Sequence, residues 1–107
     1  MIDSIAFHKY SVFIRYLILM KYRSRTDIVG LILEAANGGG ATKTRIMYKA
    51  FLSYAQLKEY LTVLLENGLI DYEEGRQFYR TTEKGIRFLQ MYNKFDEMMS
   101  IESVKRK

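Results

Sequence analysis

The chain has 107 residues, 49% hydrophobic and 27% charged, which excludes a disordered polyelectrolyte and fits one small folded domain with an appended element. It has no cysteine and a single histidine, His8. That excludes a disulfide framework, a thiolate metal site and a histidine-based triad; with no paired carboxylates, nucleophile elbow or metal-ligand spacing visible either, no metal, cofactor or catalytic activity is expected.

The net charge of +5 is unevenly spread. Up to Lys49 the bases are Lys9, Arg15, Lys21, Arg23, Arg25, Lys43, Arg45 and Lys49, against only Asp3, Asp27 and Glu34; beyond it, bases and acids balance. A basic half points to a polyanionic partner.

Met1 to Met20 is rich in Ile, Phe, Tyr and Leu, but Lys9 and Arg15 interrupt it. It is too short and too charged to span a membrane, and it lacks the basic start and cleavage site of a signal peptide. Phe13, Tyr16, Leu17 and Met20 fit one helical stripe, expected to pack on the domain or on a partner subunit. A membrane-surface helix and a poorly ordered extension are the alternatives. Met20-Lys-Tyr-Arg also resembles a natural chain start.

Lys21-Tyr-Arg-Ser-Arg is a basic lead-in. Ser24 or Thr26 can cap the following helix, with Asp27 favourable in its first turn. Ile28, Leu31, Ile32 and Ala35 follow the i, i+3, i+4, i+7 spacing of a core-facing stripe. Asn37-Gly-Gly-Gly ends this helix and reads as a flexible connector, because the spacing of a phosphate-binding glycine loop is absent.

Thr42 caps a short helix with Ile46, Met47 and Ala50 inward and Lys43, Thr44, Arg45 and Lys49 outward. Phe51 and Leu52 form a tight turn. Ser53, with Gln56 at the third position after it, makes a capping box, and Leu52 and Leu57 flank it as a hydrophobic staple. In the second helix Leu57, Leu61 and Leu64 are the buried stripe, with Tyr54 and Leu65 beside it; Ala55, Glu59, Thr62 and Glu66 lie opposite. Asn67-Gly68 closes the helix in a Schellman-type cap that places Leu69 near Leu64.

Strands from Leu69 to Glu73 and from Gln77 to Thr81 enclose Glu74-Gly75, a hairpin-turn signal. Thr81 or Thr82 caps a last helix, in which Phe88, Tyr92, Phe95 and Met99 make a short hydrophobic seam. Ile86, Leu89, Met91 and Met98 widen it, which suggests one face on the domain and another on a partner subunit. The tail Lys105-Arg-Lys is expected to fray and to be able to touch phosphate.

The fold class is therefore mainly α with a small β-hairpin: a winged helix-turn-helix over 20–82, a C-terminal dimerisation helix over 83–107, and a hydrophobic N-terminal extension over 1–19. A helix-turn-helix needs its second helix set at a defined angle to enter a DNA groove, and the cap at Ser53 supplies that.

The run Gly39 to Leu61, together with Glu66-Asn-Gly-Leu-Ile and Tyr79-Arg-Thr-Thr-Glu-Lys-Gly, resembles archaeal winged-helix DNA-binding proteins related to small dimeric archaeal chromatin proteins. The resemblance covers Met20 to about Met99. It implies an archaeal source, a winged helix, dimers through the last helix, and DNA binding.

On this reading the protein is a cytoplasmic, nucleoid-associated transcription regulator that binds duplex DNA as a homodimer. Helix 53–67 would enter the major groove, where Ser53, Tyr54, Gln56, Lys58 and Glu59 are the candidate base contacts. Helix 42–50 would lie on phosphates through Thr42, Lys43, Thr44 and Arg45, with Lys21, Arg23, Arg25 and the wing-tip Arg76 extending the footprint. Gln56 could pair with adenine or be used up in its cap. Phe88, Tyr92, Phe95 and Met99 are the dimerisation candidates. A sequence-nonspecific chromatin protein is the nearer alternative, and a winged-helix protein-interaction module is the alternative from another class. No effector pocket can be named.

Overall fold

The computed structural model describes residues 23–99; the hydrophobic extension, Lys21 and the basic tail lie outside them. The element order is α1 (Arg25–Ala36), α2 (Lys43–Lys49), α3 (Tyr54–Glu66), β1 (Ile70–Glu73), β2 (Phe78–Thr81) and α4 (Glu83–Met98), the winged helix-turn-helix arrangement. Among the described residues no helix is long and apolar enough to cross a membrane.

Each helix starts on a side chain that satisfies its otherwise unpaired first amides. Ser24, not Thr26, caps α1, in a reciprocal box: Asp27 N donates to Ser24 Oγ at 3.1 Å, and Ser24 N donates to Asp27 Oδ2 at 2.9 Å. Thr42 caps α2 and Ser53 caps α3. Thr82 caps α4, which leaves Thr81 for another task. Its buried hydroxyl donates to the Leu33 carbonyl at 2.7 Å, tying the hairpin to the last turn of α1.

The core is assembled from all these elements: Ile32 and Leu33 of α1, Ile46 of α2, Leu57 and Leu64 of α3 and Ile70 of β1 are its largest fully buried side chains. Transfer of such a side chain from water contributes roughly 1.5–3 kcal/mol. On α1 the buried face is rotated from the expected stripe. Ile28, Ile32, Leu33 and Ala36 are buried, while Leu31 and Ala35 are half-buried. On α3, Tyr54 and Leu65 are exposed rather than packed beside the leucine stripe. The end of α3 is a full Schellman cap, with Leu69 N donating to Leu64 O at 2.9 Å, Gly68 N to Leu65 O at 3.1 Å, and Gly68 at φ 71°.

Two loops differ from expectation. The glycine run is an ordered connection: Gly38 and Gly40 adopt positive φ, and Ala41 then pairs with Tyr79, each amide donating to the other's carbonyl at 2.8 Å. This adds a short third rung beside β2. The hairpin pairs Tyr72 with Tyr79 and Glu73 with Phe78, so the loop is 74–77 and Gln77, expected to open the second strand, belongs to it. Its left-handed residue is Gln77, at φ 57°. The chain turns at Glu74-Gly75 as expected, but a longer loop closes on one left-handed residue near its end, here Gln77.

Helix α4 runs back along α1. Gly85 and Leu89 are buried, and Phe88 and Tyr92 pack on the core. Tyr92 lies over Gly30, where an added Cβ would come within 2.9 Å of the ring. Its hydroxyl donates to Asp27 Oδ1 at 2.6 Å. Phe88 and Tyr92, expected at a dimer seam, are thus largely taken up inside the domain. The apolar side chains left outward are Met91, Phe95, Met98 and Met99.

Burial on its own would raise the Asp27 pKa, but hydrogen bonds from Tyr92 and Ser24 outweigh it, and the carboxyl is held below its ordinary value. A carboxylate shifted down on folding stabilises the fold above its unfolded-state pKa, and that contribution disappears as pH falls through the folded-state value. Denaturant titrations from about pH 5 down to about pH 2 should therefore show wild type losing roughly 1 kcal/mol that Asp27→Asn does not lose. Parallel pH profiles for the two proteins would contradict this.

Candidate nucleic-acid interface

The corner between α2 and α3 places the polar side chains. Ala50 ends α2, Phe51 turns the chain at φ 54°, and Leu52 is buried. Ser53 Oγ then accepts from Gln56 N at 3.2 Å, while Gln56 Oε1 accepts from Ser53 N at 3.1 Å. With Leu57, Leu61 and Leu64 facing the core, the outward face of α3 presents Ala55, Gln56, Lys58, Glu59, Thr62 and Glu66, all exposed.

The start of α2 lies beside the start of α3. Thr42 Oγ1 accepts from Arg45 N at 3.2 Å, and Lys43, Thr44 and Arg45 are exposed. Lys43 Nζ stands 5.3 Å from the centroid of the Tyr54 ring, a cation–π distance that links the two helix starts.

The hairpin completes the arrangement. An open cleft of about 520 Å³ runs between α2 and the wing, lined by Thr42, Lys43 and Thr44 on one side and Tyr72, Arg76, Gln77 and Tyr79 on the other. Arg76 Nε is 3.9 Å from Glu73 Oε1, and Arg80 is 3.4 Å from Glu73 Oε2. These are exposed pairs of small energetic worth, which a phosphate can displace. A second cleft on the other side of α2 brings Arg45 and Lys49 near Glu34.

The structure thus groups Thr42, Lys43, Thr44 and Arg76 around one cleft, and Lys43 joins them to Tyr54. Ser53, Gln56, Lys58 and Glu59 follow along the same helix. Three expected contacts stand apart. Lys21 lies outside the described residues. Arg25 is exposed on the first turn of α1 and lines neither cleft. Arg23 is turned inward, its guanidinium donating to the carbonyls of Ala50 and Phe51. Burial lowers its pKa, with the field of Tyr60 opposing. The guanidinium thus ties the start of α1 to the corner.

Gln56 is also constrained, because the oxygen needed for bidentate pairing with adenine is engaged in its own cap. The cleft-lining residues absent from the sequence-derived candidates are Tyr72, Tyr79 and Gln77. Strand alternation puts both tyrosines on one face only when the loop spans 74–77, so the missing signal was the hairpin register.

Comparison with known proteins bears on the whole of this surface. A family described as winged helix-turn-helix matches residues 22–100. An uncharacterized protein of Methanocaldococcus jannaschii is 32% identical over 79 residues, covering 73% of this chain and 79% of the relative. The crystal structure of Sso10a-2, a DNA-binding protein from Sulfolobus solfataricus, superposes with a TM-score of 0.66 at 24% identity, over 78% of this chain and 90% of that one. At that identity the likeness is one of fold.

Arg23→Ala would leave the Ala50 and Phe51 carbonyls at the corner without this donor. Thermal and denaturant unfolding should show a loss of about 1–3 kcal/mol, with any loss of DNA affinity following from the altered corner. Unchanged stability with weakened DNA binding would instead place Arg23 on phosphate.

Proposed function

The chain belongs to the winged helix-turn-helix family, and from that premise we propose that it is a transcription regulator binding duplex DNA as a homodimer, with α3 in the major groove. The observation that carries this reading is the convergence of the α2 start, the α3 start and the wing on one side, around Lys43. Three separate chain segments place cations and hydroxyls there, while the outer face of α3 stays open. Thr42, Lys43, Thr44, Arg45 and Arg76 contact phosphate and fix the register. Lys58, Glu59, Tyr54, Ser53 and the free amide of Gln56 face base edges. The DNA-binding role printed for the Sulfolobus solfataricus neighbour supports the same partner class.

A second reading, sequence-nonspecific coating of DNA, is favoured by one observation: Gln56, the best base reader by side-chain chemistry, spends its carbonyl oxygen on the Ser53 amide. The two readings share the phosphate contacts and differ only in the ratio of specific to bulk affinity.

Titration of labelled random and genomic fragments by anisotropy tests both. With six to ten phosphates neutralised per dimer, affinity should fall roughly 10³- to 10⁵-fold between about 50 and 200 mM salt. Lys43→Ala should weaken every sequence alike and reduce the salt slope, while Gln56→Ala should alter sequence preference by roughly 1–3 kcal/mol if it reads a base. A flat salt response contradicts DNA binding. A specificity ratio below about 10³ assigns the coating role.

For the dimer, Met91, Phe95 and Met98 recur at spacings of four and three and are 73%, 63% and 65% exposed. This stripe is rotated from the one expected, because Tyr92 is held on Gly30 and Asp27. A second copy is the occupant we propose for it. Phe95→Glu with Met98→Glu should turn a dimer into a folded monomer in sedimentation equilibrium, because neither side chain is in the core. A dimer that survives both changes, or a monomeric wild type, contradicts the seam.

A further inference from the structure

The cleft between α2 and the wing holds more aromatic surface than phosphate contact requires. Tyr72 and Tyr79 are directly opposite in the hairpin, their ring centroids 4.8 Å apart and tilted by 47°. Such a cross-strand pair stabilises a hairpin, and the half-buried Tyr79 fills that part. Tyr72, however, remains 44% exposed, so part of its ring is open to the cleft. Lys43 and Arg76 stand on opposite walls, with Thr44 beside the first and Gln77 beside the second as neutral hydrogen-bonding groups. An exposed ring flanked by cations and amide or hydroxyl groups is the combination that takes an unstacked base with its phosphate.

We propose that this cleft accepts one unpaired nucleotide of a nucleic-acid strand, its base stacked on Tyr72, its edge met by Gln77 and its phosphate between Lys43 and Arg76. The inference rests on the proposed DNA binding and sharpens it. The protein would prefer duplexes in which a base is already extruded, because unstacking a paired base costs free energy that a bulged site does not require. The Glu73 carboxylate beside Arg76 limits the gain, so the phosphate relies chiefly on Lys43.

Anisotropy with a perfect duplex and with the same duplex carrying a single-nucleotide bulge tests this. The bulged duplex should bind about tenfold tighter, the scale of one base stacked on an aromatic ring. Tyr72→Phe should keep that ratio. Tyr72→Leu, which retains apolar bulk without a π-face, should bring it to unity, with a thermal unfolding midpoint close to wild type showing the fold intact. Equal binding of both duplexes by wild type overturns the proposal, as does an equal loss on both duplexes in Tyr72→Leu. Binding of neither duplex removes the DNA-binding reading as well, whereas duplex binding without bulge preference removes only this inference. A free nucleoside monophosphate should fail to displace the bulged duplex at micromolar concentration. Displacement there would assign the cleft to a free nucleotide and overturn the strand assignment.

Discussion

The reversal of the chain between α2 and α3 runs through a non-glycine residue in the left-handed region, Phe51 at φ 54°. That conformation costs free energy in isolation, on the order of 1 kcal/mol, and persists only where the surroundings hold it. Here the holding groups come from both sides. Leu52 is buried against the core, Ser53 and Gln56 exchange cap hydrogen bonds, and the Arg23 guanidinium grips the carbonyls of Ala50 and Phe51 from the start of α1. The corner fixes how α3 leaves α2. It thereby fixes where Lys43 meets Tyr54 and how far the wing stands from both. The exposed polar surface is a consequence of this buried and capped joint.

A second constraint divides the apolar surface of α4. Gly30 allows Tyr92 to lie flat on α1, and Gly85 allows α4 to start against the Leu69 carbonyl, where any Cβ would collide. Close approach at these glycines draws Leu89, Phe88 and Tyr92 onto the domain. The same rotation turns Met91, Phe95 and Met98 away from it. Small residues at one face therefore decide which large residues are left exposed on the other.

Much of this was legible in the sequence, and the parts that were not have physical causes. Caps and helix stops rest on side chains hydrogen-bonding amides within the same turn, so Ser53-Gln56, Thr42 and Asn67-Gly68 announce themselves locally. The order of elements followed from them. What escaped depends on contacts distant in sequence. The rotation of the α1 face, the pairing of Ala41 with Tyr79 and the inward turn of Arg23 each require a partner at least 27 residues away or a third strand that no local pattern marks. The hairpin register was lost because Glu74-Gly75 has the look of a tight turn, while Gln77 takes the left-handed position. That slip hid Tyr72 and Tyr79 as a pair, and with them the aromatic wall of the cleft. The outward stripe of α4 differs from the spacing of Phe88, Tyr92, Phe95 and Met99 for a similar reason: Tyr92 has a partner in Asp27 that periodicity does not reveal.

One side of the domain, built from the starts of α2 and α3 and the wing, is the surface proposed to meet DNA. Amide chemical-shift mapping of the full chain during titration with a short duplex tests it directly. Shifts should concentrate at residues 42–45, 53–59 and 72–77, with the exposed stripe of Met91, Phe95 and Met98 unmoved. Shifts centred on that stripe, with residues 42–45 silent, would contradict it.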